Sequence, residues 1–158
     1  MRNVDESATS LGEADSLKRS LTYAHVAEGV RATIAAYTQA LDDGRTDDVV
    51  ATFCPDGVCE IPGLGTHVGH DALREAFSKW TPRRPQRHLV VNTLVAEGDV
   101  NEATAISDVV FLLLGDAGWT VQLVGRYHDT FHFGDGRWRF HRRAATFVTE
   151  NRQDKGTA

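Results

Sequence analysis

Among the side chains of this sequence that could move a proton are His88, Asp42, Tyr37 and Asp108. Elimination beside a carbonyl or another activating group needs a base to take a proton and a donor to help the leaving group depart. An imidazole changes charge near neutral pH, which makes His88 the natural base. On a strand it alternates with Val90, Asn92 and Leu94 on one face, where Asn92 could bind a substrate carbonyl or be structural. A carboxylate on the other ring nitrogen would fix the tautomer, a part suited to Asp42, with neighbouring Asp43 as the alternative. Tyr37 is either a donor to a leaving oxygen or a core ring with a satisfied hydroxyl. Five helical residues turn about 500°, leaving Tyr37 and Asp42 roughly 140° apart, so they share a pocket only if it lies between those directions. Asp108 interrupts an apolar strand between Ile106 and Val110, and either lines a pocket or pairs with an arginine. In Arg126-Tyr127-His128-Asp129, Tyr127 and Asp129 share one face and Arg126 and His128 the other, so one pair looks inward.

Other chemistries lack their residues. No HExxH or CxxC is present, and His67, His70, His128, His132 and His141 form no chelating spacing, so no metal is expected. The stretch Gly63-Leu64-Gly65-Thr66-His67-Val68-Gly69 is one residue off GxGxxG and lies outside a βαβ unit, which reads as a turn. Neither a GxSxG elbow nor a P-loop occurs. Cys54 and Cys59 read as small buried hydrophobes. The 17 Lys and Arg against 22 Asp and Glu give a net charge of -5, the wrong sign for general nucleic-acid binding. With no apolar run of about 20 residues and no signal-peptide core near the N-terminus, neither a membrane helix nor secretion is expected, and the expected location is cytoplasmic.

The elements that must position these residues follow from periodicity. At 158 residues and 41% apolar content the chain suits one domain, expected over 21–149, with a flexible segment at 1–20 and a tail at 150–158. Tyr23, Val26, Val30, Ile34, Tyr37 and Leu41 predict a helix over about 21–42, stopped by Gly44. Thr46-Asp47-Asp48 suits the cap and first turn of a short helix. A strand over 58–61 and a helix over 71–80 follow. From Gln86 the period becomes two, giving long strands over 88–97, 103–114, 119–133 and 137–148, joined by Gly98-Asp99, Gly115-Asp116-Ala117-Gly118 and Gly134-Asp135-Gly136. Helices followed by an antiparallel meander predict an α+β cup.

The segments YTQALDDGRTDDVVATFCPDGVCEIPGLGTHVGHDAL, RHLVVNTLV, ISDVVFLL and GRYHDTFHFGDGRWRF carry a resemblance to the SnoaL-like proteins of the nuclear-transport-factor-2-like superfamily, over about residues 22–148. It implies a cone in which a curved antiparallel sheet wraps three helices around a deep apolar pocket. Within the superfamily the chain resembles the group of scytalone dehydratase, bile-acid 7α-dehydratase and hexachlorocyclohexane dehydrochlorinase. That group implies an Asp-His pair at Asp42 and His88, a tyrosine at Tyr37 and a further acid at Asp108. The resulting expectation is a cofactor-free, dehydratase-like lyase acting on a small hydrophobic cyclic or polyketide-like substrate. Asn92, Tyr127, Trp80, Phe53 and Phe111 are the expected substrate contacts. An isomerase or polyketide cyclase could use the same pair, and a non-catalytic binding or assembly domain needs only the apolar pocket. The resemblance also implies a homo-oligomer, a trimer or dimer.

Overall fold

The apolar recurrence around Val30, Ile34 and Tyr37 folds into a helix that buries all three. The computed structural model describes residues 4–97 and 101–150. In chain order the helices are α1 (Val4–Asp42), α2 (Thr46–Ala51) and α3 (Gly69–Lys79), and the strands are β1 (Phe53–Ile61), β2 (Gly65–Val68), β3 (Gln86–Glu97), β4 (Glu102–Gly115), β5 (Gly118–Gly134) and β6 (Arg137–Glu150). The turn at Gly98-Asp99 and the tail from 151 lie outside the described residues.

Helix α1 starts well before residue 21. Its residues 12–25 are exposed, so the Ala, Leu, Glu, Lys and Arg among them account for the extra turns through propensity rather than burial. At its other end Gly44 adopts φ 70°, and Arg45 N–H donates to the Ala40 carbonyl at 2.8 Å. The N-cap of α2 is Arg45, without a side-chain cap, and not Thr46; Asp47 and Asp48 fill its first turn. Gly29 lets the helix approach the sheet, since a Cβ there would lie 2.5 Å from the Trp138 ring.

The strands form one curved, unclosed sheet in the order β2-β1-β6-β5-β4-β3. Strands β3 to β6 are the expected antiparallel meander, whereas β1 pairs in parallel with β6, a long-range contact that no turn signals. The glycine-rich stretch after β1 contains β2, which folds back on β1 with Cys59 opposite His67. Register shifts lie in β3 between Val91 and Leu94, in β4 at Phe111/Leu112, and between β5 and β6 at Thr130/Phe131 and Val124/Gly125. Such bulges bend and twist strands, which turns a flat meander into a cup. The three helices pack in its hollow over an aromatic cluster of Tyr37, Phe53, Phe77, Phe131 and Phe140.

Candidate active site

The end of α1 meets the start of β3 through Asp42, which bonds Gln86 and His88. His88 Nδ1 and Asp42 Oδ1 lie 2.6 Å apart, and His88 backbone N–H donates to Asp42 Oδ2 at 2.8 Å, so the carboxylate grips ring and backbone together. The two side chains keep 14% and 6% of their surface exposed. Gln86, missed in the sequence, donates from Nε2 to Asp42 Oδ1 at 3.4 Å and to the Leu41 carbonyl at 3.5 Å. Phe111, directly opposite His88 in the β3/β4 ladder, stacks on the imidazole with centroids 4.5 Å apart. With Asp42 ionised, the ring nitrogen facing it carries the proton, and in a neutral ring Nε2 holds the free lone pair. Asp43 instead makes an exposed ion pair with Arg45, so Asp42 is the partner.

His88 lines a cavity of about 600 Å³ together with Tyr37, Tyr127, Trp80, Phe111 and Gln86. Among the described residues the remaining lining is apolar or glycine, and no Lys, Arg, Asp or Glu belongs to it. Tyr37 and Leu41 line the cavity directly, whereas Asp42 is not among the lining residues and meets the cavity through its bond to His88. Behind its two phenols lies a buried ion pair: Arg143 donates to both carboxylate oxygens of Asp129 at 2.9 and 2.7 Å, with both side chains 0% exposed. The guanidinium also stacks 4.4 Å from the Tyr37 centroid and 4.0 Å from that of Tyr127. Burial raises the Tyr37 pKa well above its ordinary value and pushes Tyr127 up to about 12, against the lowering pull of Arg143, so both phenols keep their protons. Burial opposes the charge of Arg143, but Asp129 and the phenols outweigh it and hold its pKa above the ordinary value.

Three expected site residues lie elsewhere. Asp108 is on the outer face, where Arg126 donates to its Oδ1 at 2.8 and 2.7 Å and Asn92 to its Oδ2 at 3.0 Å; these bonds hold its pKa below the usual carboxylate value, that from Asn92 most. It alternates with buried Ser107 and Val109, which take the inward positions. Asn92 leaves the face of His88 because the register shift falls on it, with φ 53°. Phe53 is fully buried behind Tyr37, with centroids 6.0 Å apart, and is core rather than cavity wall. Of the Arg126–Asp129 stretch, Tyr127 and Asp129 are the inward pair. Among the described residues no group of three or more His, Cys, Asp and Glu could hold a metal ion, and no helix is long and apolar enough to cross a membrane.

Against known proteins, the model of the SnoaL-like domain matches residues 23–144. The chain belongs to the SnoaL-like family. Among solved structures, this SnoaL-like chain is similar to a single-residue variant of Rv3472 from Mycobacterium tuberculosis, a protein of unknown function, with 26% identity and TM-score 0.74 over 81% of this chain and 74% of that one. A candidate scytalone dehydratase from Novosphingobium aromaticivorans shares 20% identity at TM-score 0.76, over 88% and 95% of the two chains. A nuclear-transport-factor-2-like protein with a cystatin-like fold from the same organism shares 18% at TM-score 0.72, over 96% and 94%. The last two likenesses are of fold. No curated protein sequence matches the chain.

Proposed function

We propose that this SnoaL-like protein is a cofactor-free lyase that eliminates water, or a similar leaving group, from a hydrophobic cyclic or polyketide-like molecule. The observation that carries the reading is the 2.6 Å bond between His88 Nδ1 and Asp42 Oδ1 on the wall of an apolar cavity of about 600 Å³. The fold likeness to the candidate scytalone dehydratase supports the reaction class. In this reading His88 Nε2 takes a proton from the carbon beside the activating group, and Asp42 steadies the imidazolium. The C–H electron pair becomes the new C=C bond as the C–O bond breaks. Hydroxide departs as water with a proton from Tyr37, which is later replaced by the proton on His88. Tyr127, Trp80 and Phe111 contact the substrate. Where no group leaves, the same proton removal gives isomerisation or ring closure, and product analysis separates these outcomes.

The test is a panel of hydroxylated cyclic ketones, followed by absorbance of the new conjugated double bond. His88→Gln is expected to lower turnover by about 10²- to 10⁴-fold, and Asp42→Asn to lower it in the same direction. Full activity in His88→Gln overturns the proposal. A wild-type protein that binds the panel by calorimetry and turns over none of it is a ligand carrier, a role for which the apolar lining suffices.

A further inference from the structure

The Asp42 carboxylate has a third donor that the proton-transfer scheme does not use. His88 takes both carboxylate oxygens, the ring on Oδ1 and the backbone N–H on Oδ2. Gln86 sits two residues earlier on β3, is buried, lines the cavity and places Nε2 3.4 Å from the same Oδ1 that faces the ring. The amide is itself anchored, since Nε2 also reaches the Leu41 carbonyl at 3.5 Å, the residue before Asp42 on α1. One side chain thus ties the carboxylate, the end of the helix and the start of the strand together. A carboxylate oxygen that shares its charge between two donors bonds each less strongly than it would bond one.

We infer that Gln86 is a positioning residue that acts through Asp42: its amide competes with His88 for Oδ1 and so sets how tightly the imidazole is held. The inference rests on the reading of His88 and Asp42 as a working pair and adds a residue to that pair. Too tight a grip on Nδ1 ties the ring to one orientation, and too loose a grip frees it to rotate away from the cavity; the shared oxygen sits between these extremes. Both Gln86 contacts are long, so the effect is one of tuning and not of assembly.

The test uses the full chain without ligand and reads the Nδ1-bound proton of His88 by proton NMR, at one fixed pH and low temperature. In Gln86→Met, which keeps length and burial but removes the amide donor, this signal is expected to move downfield as the remaining bond shortens. Gln86→Asn, which withdraws the amide by one methylene, is expected to move it the same way and serves if the methionine variant does not fold. Leu123→Ala, at a lining residue on β5, is the control and leaves the signal in place. An unmoved or upfield signal in a folded Gln86 variant overturns the inference while leaving the Asp42–His88 pair intact. Absence of the signal from wild type under conditions where Asp42→Asn also lacks it overturns the pair itself, and the inference with it.

Discussion

Arg143 is a single side chain that organises the buried layer behind two cavity-lining phenols. It meets Asp129 in a bidentate pair and covers the faces of Tyr37, Tyr127 and Phe140. Removing one partner of a fully buried pair strands the other charge, so Arg143→Met is expected to destabilise the fold by about 3–5 kcal/mol, whereas adding Asp129→Leu recovers much of the loss. Urea denaturation of both single variants and the double variant checks this, and a double variant that loses the sum of the singles contradicts it. The phenols give a pH dependence of known sign. Unfolded tyrosine ionises near pH 10, whereas Tyr127 in the fold ionises at about 12 and Tyr37 well above its ordinary value. Between those limits the unfolded chain has shed protons that the fold still holds, so stability is whole below about pH 10 and falls as pH rises beyond it. Tyr127→Phe should flatten that alkaline slope in thermal melts. The inward face of Tyr127 and Asp129 was legible as one of two options, but the partner was not. An unbroken register from the Gly134/Arg137 turn pair sets Asp129 opposite Arg142, and only the shift at Thr130/Phe131 brings Arg143 there.

At the scale of elements, the same physics separates what the sequence discloses from what it hides. The second half of helix α1, helix α3 and strands β3 to β6 follow from periods of 3.6 and 2 and from glycine-bearing turns, all of which are local. The parallel β1/β6 pairing and the bulges are tertiary, and every misplaced site residue traces to burial or register that period alone does not set. On β3 the shift between Val91 and Leu94 turns Leu94 outward to 74% exposure, while Thr93 bonds inward-facing Ser107. The bulge also breaks the edge of the sheet, where Arg31 covers the Thr93 carbonyl and Tyr23 that of Val95, a form of protection against pairing with other strands. Asn92 suits its left-handed conformation, which a β-branched residue resists. Asn92→Val is therefore expected to cost about 1–3 kcal/mol, while Asn92→Gly loses only the Asp108 contact; chemical denaturation separates the two. Equal losses would show that the hydrogen bond, and not the backbone, decides that position.

For the molecule as a whole, charge and shape select the same ligands. The chain carries a net charge of -5, and among the described residues none that lines the cavity is Lys, Arg, Asp or Glu. Arg143, which stacks on Tyr37 and Tyr127, is committed to Asp129 and has no exposed surface. The His88 and Asp42 pair adds no net positive charge in either state, since a neutral ring leaves the pair at minus one and a protonated ring brings it to zero. A carboxylate entering the cavity would give up its hydration without a cation to receive it, which is costly in an apolar site. A neutral bicyclic ketone meets apolar walls, two phenol donors and an aromatic floor instead. Trp80 reports on this directly, because it lines the cavity while Trp119 is exposed and Trp138 is buried against Phe133. A neutral ketone such as 1-tetralone is therefore expected to change tryptophan emission, and Trp80→Phe to abolish the change. The matching carboxylic acid, ionised at pH 8, is expected to bind at least about tenfold more weakly, a difference of roughly 1.4 kcal/mol. Equal binding of acid and ketone would mean that Arg143 or His88 offers an anion a charge that the free protein keeps neutralised, and would redirect the search toward acidic substrates.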